Sequence, residues 1–231
     1  MSKIAIMGAM PEEIDPIIAT LHDLRETEYA DNVYYEGTYK GKEVVVAYSK
    51  IGKVFASLTA TILIEKFGCD TLLFSGVAGA INEELSIGDL IIADGLCQHD
   101  LDITAFGHPY GYVPEGDVCI WADADLKTLA KRVARAKGLD LREGVIATGD
   151  QFVANTERKT WISETFKADA LEMEGAAVAV VCDALDVPFF ILRAISDSAD
   201  MDAGFDFDAF LVSSAKVSAD FILAMVEQIK E

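Results

Sequence analysis

Hydrophobic and polar residues alternate along the chain in blocks that predict strands and helices in turn. Short apolar, β-branched or aromatic runs predict strands, because such residues suit a buried, pleated surface. Longer stretches with apolar residues three or four positions apart predict helices. The strands are expected at residues 3–7, 33–39, 43–48, 71–74, 89–93, 144–148 and 189–195. The helices are expected at residues 11–24, 54–67, 123–137, 157–166, 174–185 and 207–229.

The order of these elements predicts an α/β fold. Two aromatic and β-branched runs flank a glycine turn at residues 40–42, which is typical of a hairpin. Beyond it strands and helices alternate, which favours a mostly parallel sheet with helices on both faces. A chain of 231 residues can form one large core, so we expect a single domain over residues 1–231. The longest irregular stretch, residues 99–121, is the expected functional loop.

Charge narrows the range of partners. The formal net charge of −20 at pH 7 repels phosphate backbones and anionic membrane surfaces, so we expect no nucleic-acid and no membrane partner. A neutral or cationic ligand is favoured, although solubility alone also explains the charge. The N-terminus opens on a strand pattern rather than a leader, and no apolar run approaches the ~20 residues of a membrane span. These features predict a cytoplasmic protein.

Cysteine and histidine spacing predicts neither a disulfide framework nor a metal site. The four cysteines stand far apart without a Cys-x-x-Cys pair, and we expect reduced core residues at Cys69, Cys97, Cys119 and Cys182. The three histidines lack the spacing of metal ligands. We therefore expect no metal and no cofactor.

Carboxylates stand at three predicted strand ends, where open α/β sheets usually place their chemistry. Glu13 follows the first strand, Glu174 follows a short apolar stretch, and Asp197 ends a strand that also carries Arg193 and Ser196. Each acid could instead be an ordinary helix N-cap. Acids in different environments allow one to stay protonated while another is ionised, as cleavage of a glycosidic bond requires.

The glycine-rich segment at residues 75–79 follows a predicted strand but lacks the Gly-x-Gly-x-x-Gly spacing of a dinucleotide site. The chain also contains no Gly-Lys-Ser/Thr phosphate loop and no Gly-x-Ser-x-Gly elbow. We interpret these glycines as residues of tight turns and of close approach to a ligand.

Seven segments, in this order, carry a family resemblance that spans nearly the whole chain. They are MGAMPEE (7–13), SKIGKV (49–54), FSGVAG (74–79), HDLDITAF (99–106), GDQF (149–152), EME (172–174) and RAISD (193–197). In these segments the chain resembles bacterial 5′-methylthioadenosine/S-adenosylhomocysteine nucleosidases, which belong with the purine nucleoside phosphorylases. The resemblance implies a three-layer α/β/α fold with a mixed, barrel-like central sheet, and a homodimer.

The resemblance also implies roles for the acids. Asp197 matches the general acid that protonates N7 of adenine, helped by Ser196. Glu13 matches the carboxylate that activates the attacking water, with Arg193 nearby. Glu174 matches the residue that holds the ribose hydroxyls. The implied reaction is hydrolysis of the N-glycosidic bond, and the implied partner is a small purine nucleoside.

Further positions match the family's substrate-binding residues. Phe152 matches the ring stacked on adenine, Val153 matches its backbone hydrogen-bond partner, and Met173 lies beside the ribose. The apolar walls around the ribose and the 5′ group match Met10, Ile51 and Phe207. In the family, the partner subunit closes the 5′ pocket, which here implies Ile103, Phe106 and Pro114.

Two positions depart from the family's pattern. Val77 stands where many relatives have serine, and it resembles the branch whose members accept 6-amino-6-deoxyfutalosine, a menaquinone precursor. His108 stands where others carry an aromatic residue at the 5′ pocket, or it is a solvent-facing loop residue. Both departures leave the preferred 5′ substituent open.

Two other functions are compatible with the same fold. A nucleoside phosphorylase would need a cationic pocket for phosphate, which Glu13 opposes with its negative charge. A nucleoside-binding sensor would keep the fold without catalysis, because fold alone does not establish activity. The presence of three acids in matching positions favours the hydrolase.

Overall fold

The computed structural model describes residues 2–199 and 203–229, which contain ten strands and six helices. The strands are β1 (Lys3–Gly8), β2 (His22–Tyr29), β3 (Asn32–Tyr39), β4 (Lys42–Tyr48), β5 (Thr71–Ala80), β6 (Leu90–Gln98), β7 (Cys119–Trp121), β8 (Leu141–Thr148), β9 (Ala170–Glu172) and β10 (Phe189–Asp197). The helices are α1 (Pro11–Ile18), α2 (Lys53–Glu65), α3 (Ala124–Lys137), α4 (Thr156–Phe166), α5 (Gly175–Ala184) and α6 (Ala203–Gln228).

All ten strands belong to a mixed sheet that is partly closed. Its order is β10-β6-β8-β9-β5-β1-β4-β3-β2, β7 pairs with β6, and β5 pairs back to β10. Strands β10, β6, β8, β9 and β5 therefore form a closed ring, which confirms the implied barrel-like, three-layer α/β fold. The mostly parallel sheet expected from the alternation alone is wrong, because β10–β6, β2–β3, β3–β4, β5–β9 and β6–β7 are antiparallel.

Helices cover both faces of the sheet. Strand β1 shows how the two faces arise, since alternate side chains of a strand point to opposite sides. Ala5 and Met7 belong to the core beneath α2 and α5, whereas Ile4 and Ile6 belong to the core beneath α1, α3 and α6. Helix α4 contributes to a smaller core beside β8. The two main cores hold the strand ends in fixed positions.

Several predicted elements have different boundaries or were not expected. The first helix was predicted to reach residue 24 but ends at Ile18, and the chain then forms β2. Strand β2 is polar and exposed because it lies at the edge of the sheet and pairs only with β3, so its sequence lacks an apolar pattern. Strands β7 and β9 have three residues each, too few for a periodic signal.

Helix α6 corrects the expectation that no apolar stretch approaches membrane length. Residues 206–228 are long and apolar enough to cross a membrane, by length and composition alone. Half of that apolar window is buried inside the protein. Ala219, Phe221, Ile222 and Met225 pack in the core with α1 and β10. The contacts are those of a core helix of the fold.

Candidate active site

A cavity of about 280 Å³ brings together the three acids that were predicted from distant parts of the sequence. It lies where β1, β8, β9 and β10 end, and β5 passes alongside. Its walls are formed by Ala9, Met10, Glu13, Ile51, Val77, Ala78, Gly79, Gln151, Phe152, Val153, Leu171, Glu172, Met173, Glu174, Ser196, Asp197 and Phe207. Most of the predicted site residues are therefore neighbours.

Glu13 lies in the first turn of α1 and points its carboxylate back over the start of the helix. Oε2 accepts hydrogen bonds from the N–H groups of Ala9 and Met10, and Oε1 accepts one from the N–H of Val77 at 3.0 Å. Burial raises the pKa of Glu13, and the charge of Arg193 and these N–H donors oppose that rise. The carboxylate thus combines a capping role with a place in the cavity wall.

Asp197 is the last residue of β10 and is only 4% exposed. Its Oδ2 accepts a hydrogen bond from the Ser196 hydroxyl at 2.9 Å, and its Oδ1 accepts one from the N–H of Ala199 at 2.9 Å. The pairing of β10 with β5 changes register between Ile195 and Asp197. This irregularity lets consecutive residues, Ser196 and Asp197, both line the cavity.

Glu174 occupies the N-cap position of α5, but its side chain does not cap that helix. Instead Oε1 accepts a hydrogen bond at 2.8 Å from the N–H of Gly52, a residue distant in sequence. Burial, followed by the neighbouring charge of Glu172, raises the pKa of Glu174 to about 8. The N-cap interpretation is therefore wrong for Glu174, whose carboxyl group favours the neutral form at neutral pH.

Glu172 is a cavity residue to which the sequence analysis gave no role. Its Oε2 accepts hydrogen bonds from Arg193 Nη2 at 2.6 Å and from the N–H groups of Gly175 at 2.7 Å and Glu174 at 3.1 Å. Glu172 therefore caps α5 in place of Glu174. Its position in the EME segment, next to Glu174, could have indicated that Glu172 lies near the site. Its burial could not be predicted, because it is a charged residue in a three-residue strand that has no recognisable pattern.

Arg193 stands behind the cavity rather than in its wall. It is 1% exposed, and its guanidinium lies 4.1 Å from the centre of the Phe74 ring. A Cβ atom at Gly76 would lie 2.9 Å from both Arg193 Nη1 and Glu13 Oε1. The absence of a side chain at Gly76 thus lets the guanidinium and the carboxylate approach the same point of β5, next to Glu13 as predicted.

Apolar side chains complete the cavity. Phe152 and Phe207 meet edge to face, with ring centres 5.6 Å apart and ring planes at 79°. Phe152 is 49% exposed and Ile51 is 54% exposed, so both lie at the mouth. Val153 is buried. Gln151 also lines the cavity and was not predicted.

Besides Arg193, three predicted residues lie outside this cavity. Ile103, Phe106 and Pro114 belong to the long loop between β6 and β7, and none of them lines the cavity of the same chain. Phe106 is 81% exposed. His108 is exposed and stacks on Tyr112, with ring centres 4.3 Å apart. The assignment of Ile103, Phe106 and Pro114 to a pocket of the partner subunit stays a prediction.

A larger groove of about 570 Å³ lies beside the cavity and shares Gln151 with it. Its walls include His99, Asp100, Arg158 and Trp161 but none of the three predicted acids. Burial lowers the pKa of His99 to about 4, so this imidazole is neutral at neutral pH. The groove is more open and its charges are mixed, and we place the chemistry in the smaller cavity because the convergent acids are there.

No group of three or more His, Cys, Asp or Glu side chains within residues 2–199 and 203–229 is arranged to hold a metal ion. All four cysteines are free thiols. Cys69, Cys97 and Cys182 are buried and Cys119 is half-buried.

The closed five-stranded ring with acids at its rim defines an α/β enzyme of the nucleoside phosphorylase-like class. Comparison with known families gives the same result, since residues 3–227 match the phosphorylase superfamily. The chain belongs to that family.

Individual relatives narrow the comparison. The chain is 57% identical over 229 residues to the aminodeoxyfutalosine nucleosidase of Campylobacter jejuni, covering 99% of this chain and 100% of the relative. It is 38% identical over 229 residues to the 5′-methylthioadenosine/S-adenosylhomocysteine nucleosidase of Actinobacillus succinogenes, covering 99% and 100%.

A crystal structure of the Helicobacter pylori 5′-methylthioadenosine/S-adenosylhomocysteine nucleosidase has the same fold. It has a TM-score of 0.97 and 49% identity, and the match covers 99% of each chain. That protein is complexed with (3R,4S)-1-((4-amino-5H-pyrrolo[3,2-d]pyrimidin-7-yl)methyl)-4-((prop-2-yn-1-ylthio)methyl)pyrrolidin-3-ol. The family resemblance expected from the seven segments is confirmed.

Proposed function

We propose that this chain is a hydrolase that cleaves the N-glycosidic bond of adenine nucleosides with a 5′ substituent, releasing adenine and the substituted ribose. The candidate substrates are 5′-methylthioadenosine, S-adenosylhomocysteine and 6-amino-6-deoxyfutalosine. One observation carries the proposal: Glu13, Glu174 and Asp197 come from three distant segments and line the same cavity. The names of the relatives support the same reaction class.

In the proposed reaction, Asp197 activates the leaving group. Its carboxyl group donates a proton to N7 of adenine while the bond between N9 and C1′ breaks and its electron pair moves into the purine. Protonation makes the base a better leaving group. The hydrogen bonds from Ser196 and Ala199 support this role because they fix both oxygens of the carboxyl group.

Glu13 and Glu174 serve the sugar. Departure of adenine leaves positive charge on the ribosyl ring, and water attacks C1′ as its proton passes to Glu13. Glu174 accepts hydrogen bonds from the ribose hydroxyls. Burial raises the pKa of both acids, and the positive charge that develops on the ribosyl ring favours their ionised forms, so their interaction with the sugar strengthens as the bond to adenine breaks. The cavity thus discriminates between ground state and transition state.

The remaining walls recognise the base and the 5′ group. Phe152 stacks on adenine, and the backbone of Val153 forms a hydrogen bond with it. The apolar 5′ substituent packs against walls that include Met10, Ile51, Met173 and Phe207. Phe152 and Phe207 already face each other at the mouth, which supports a planar base and an apolar tail on neighbouring surfaces.

We also propose a homodimer in which the partner's loop closes the 5′ pocket through positions 103, 106 and 114. The exposure of Phe106 and the half-exposed Ile51 support a partner at this place, since large apolar side chains gain stability when covered. Sedimentation at micromolar concentration tests the dimer. A species of only 25.0 kDa, the mass of one chain, would contradict it. A cytoplasmic location stays a prediction.

A phosphorylase is the alternative that shares the fold. It would need a cation free to bind phosphate on the face where water attacks. Arg193 is the cation whose charge acts on Glu13, and its Nη2 is held by Glu172 at 2.6 Å. This arrangement supports water as the nucleophile.

Adenine release distinguishes the candidate functions. The protein is mixed with each of the three substrates with and without inorganic phosphate, and free adenine and the sugar product are quantified. A hydrolase gives multiple turnovers and free sugar without phosphate. Ribose 1-phosphate formed only with phosphate would establish the phosphorylase, and binding without turnover would establish a sensor. The ratio of kcat/KM among the substrates identifies the preferred 5′ group.

A further inference from the structure

Glu172 is a buried carboxylate that the proposed reaction leaves without a role. Its side chain is 3% exposed, and each of its oxygens has a partner. Oε1 accepts a hydrogen bond from the Thr148 hydroxyl, and Oε2 accepts bonds from Arg193, Glu174 and Gly175. Burying a carboxylate here costs desolvation energy. The hydrogen bonds that both of its oxygens accept offset this cost.

The first consequence of these bonds concerns Arg193. Glu172 holds Nη2 at 2.6 Å, and the Leu192 carbonyl accepts a bond from Nη1 at 3.2 Å. The Phe74 ring covers the face of the guanidinium at 4.1 Å. With these contacts the guanidinium stays beside Glu13 and does not turn into the cavity.

The second consequence concerns Glu174. The N–H of Glu174 and the N–H of Gly175 both donate to Glu172 Oε2, which fixes the backbone where α5 begins. Thr148 extends this support, because its Oγ1 accepts a hydrogen bond from the N–H of Ala176 at 2.8 Å. The Glu174 side chain therefore leaves a fixed backbone and reaches Gly52.

We propose that Glu172 is a positioning residue for the reaction, which holds the Arg193 guanidinium beside Glu13 and fixes the start of α5 so that Glu174 faces the sugar. This inference rests on the proposed function. Glu172 acts through these two residues and needs no contact with the reacting atoms.

The charge of Glu172 gives a signal that separates this role from simple support of the fold. The charged groups that face Glu174 are Glu172 from β9, Glu13 from α1 and Arg193 from β10. Burial and the charge of Glu172 raise the pKa of Glu174. The hydrogen bond from the Gly52 N–H and the charge of Arg193 lower it. Removing the charge of Glu172 takes away a negative neighbour of Glu174 and leaves the positive charge of Arg193 less neutralised. Both effects lower the pKa of Glu174.

Two substitutions test the two aspects of positioning. Glu172→Gln removes the charge but keeps the size, and Glu172→Asp keeps the charge but withdraws the carboxylate by one methylene. For both we expect kcat to fall about 10- to 100-fold with a smaller change in KM, because positioning acts on the transition state. For Glu172→Gln alone we expect a lower pKa of Glu174, read from the pH dependence of the unfolding free energy.

Glu143→Gln is the matched control, because Glu143 pairs with Lys127 and Lys131 away from the cavity. It should change neither kcat nor the pKa of Glu174. Wild-type kcat in both Glu172 variants would overturn the inference, as would an unchanged Glu174 pKa in Glu172→Gln. If neither Glu172 variant folds while the control does, Glu172 is a residue of the fold alone and the inference is wrong.

The same experiment separates this inference from the proposed function. Wild-type protein that releases no adenine from any of the three substrates would contradict the proposed function. The unfolding titration does not depend on turnover, so it still reports whether Glu172 controls the Glu174 carboxyl group.

Discussion

Gly79 and Asp197 face each other across β5 and β10 so closely that a Cβ atom at position 79 would lie 2.6 Å from Oδ1 of Asp197. The same atom would lie 3.0 Å from the Cβ of Ala199, so a second contact adds to the crowding. A methyl group here cannot be accommodated unless the carboxyl group moves.

Gly79→Ala is therefore expected to lower kcat by about 100-fold, because a displacement near 1 Å at a catalytic group has an effect of that size. Steady-state adenine release measures the loss. Gly204→Ala is the matched control, since a Cβ there meets no atom within 4 Å. Equal activity of the two variants would show that the position of Asp197 is not critical.

Asp197→Asn is expected to keep binding of an adenosine analogue and to lose turnover by several orders of magnitude. The amide has nearly the same shape, so binding should be kept. It cannot deliver the proton to N7, so the substitution should lower the rate of the chemical step alone. Calorimetric binding together with adenine release measures both quantities. Asp186→Asn makes the same chemical change at an exposed position and should be neutral. Near-normal turnover of Asp197→Asn would remove this residue from the mechanism.

The raised pKa of Glu174 predicts a pH dependence of stability. The ordinary pKa of a glutamate is 4.5 and the pKa of Glu174 in the folded protein is about 8, so the folded state binds more protons than the unfolded state between these limits. The contribution of Glu174 to the free energy of unfolding is fully present below pH 4.5 and is lost as the pH rises to about 8. The slope for one proton is at most about 1.4 kcal/mol per pH unit.

Urea unfolding of the wild type and of Glu174→Gln between pH 5 and 9 tests this prediction. The wild type should lose more stability over this range than the variant, and the difference between the two curves isolates Glu174 from Glu13, whose pKa is also raised by burial. Parallel curves would mean that Glu174 is not perturbed. Glu174→Gln should also lose most activity, because the amide cannot become the anion that stabilises the ribosyl cation.

Phe152→Ala is expected to raise KM about tenfold or more, since stacking of an aromatic side chain on a base contributes about 1–3 kcal/mol. The side chain is 49% exposed, so its removal should change the unfolding free energy little. Phe152→Tyr preserves the ring and is the control. An unchanged KM in Phe152→Ala would place the base elsewhere in the cavity.

The sequence predicted the location of the chemistry better than the shape of the sheet. Apolar runs that end in Glu13 and Asp197 were recognisable because buried strands and their polar ends contrast sharply. The antiparallel pairing of β6 with β10 was not recognisable, because strand direction depends on where a connection crosses and not on the composition of either strand. Closure of the ring was implied only by the family resemblance.

Residues that depend on contacts between distant segments were the least predictable. Glu172 acquires its role from Thr148 and Arg193, which lie on two other strands. The contact between Gly52 and Glu174 spans 122 positions. No local pattern records such a pair, so the sequence suggested a helix cap where the structure has a hydrogen bond between the starts of α2 and α5.

Closure of the ring through the β5–β10 pair also bears on how the polypeptide reaches its native state. The three acids lie on α1, at the start of α5 and at the end of β10, so they converge only after contacts of long sequence separation have formed, and such contacts form slowly. In refolding from urea, the far-ultraviolet helical signal should therefore return before catalytic competence, and the interval between the two would measure how slowly these long-range contacts form.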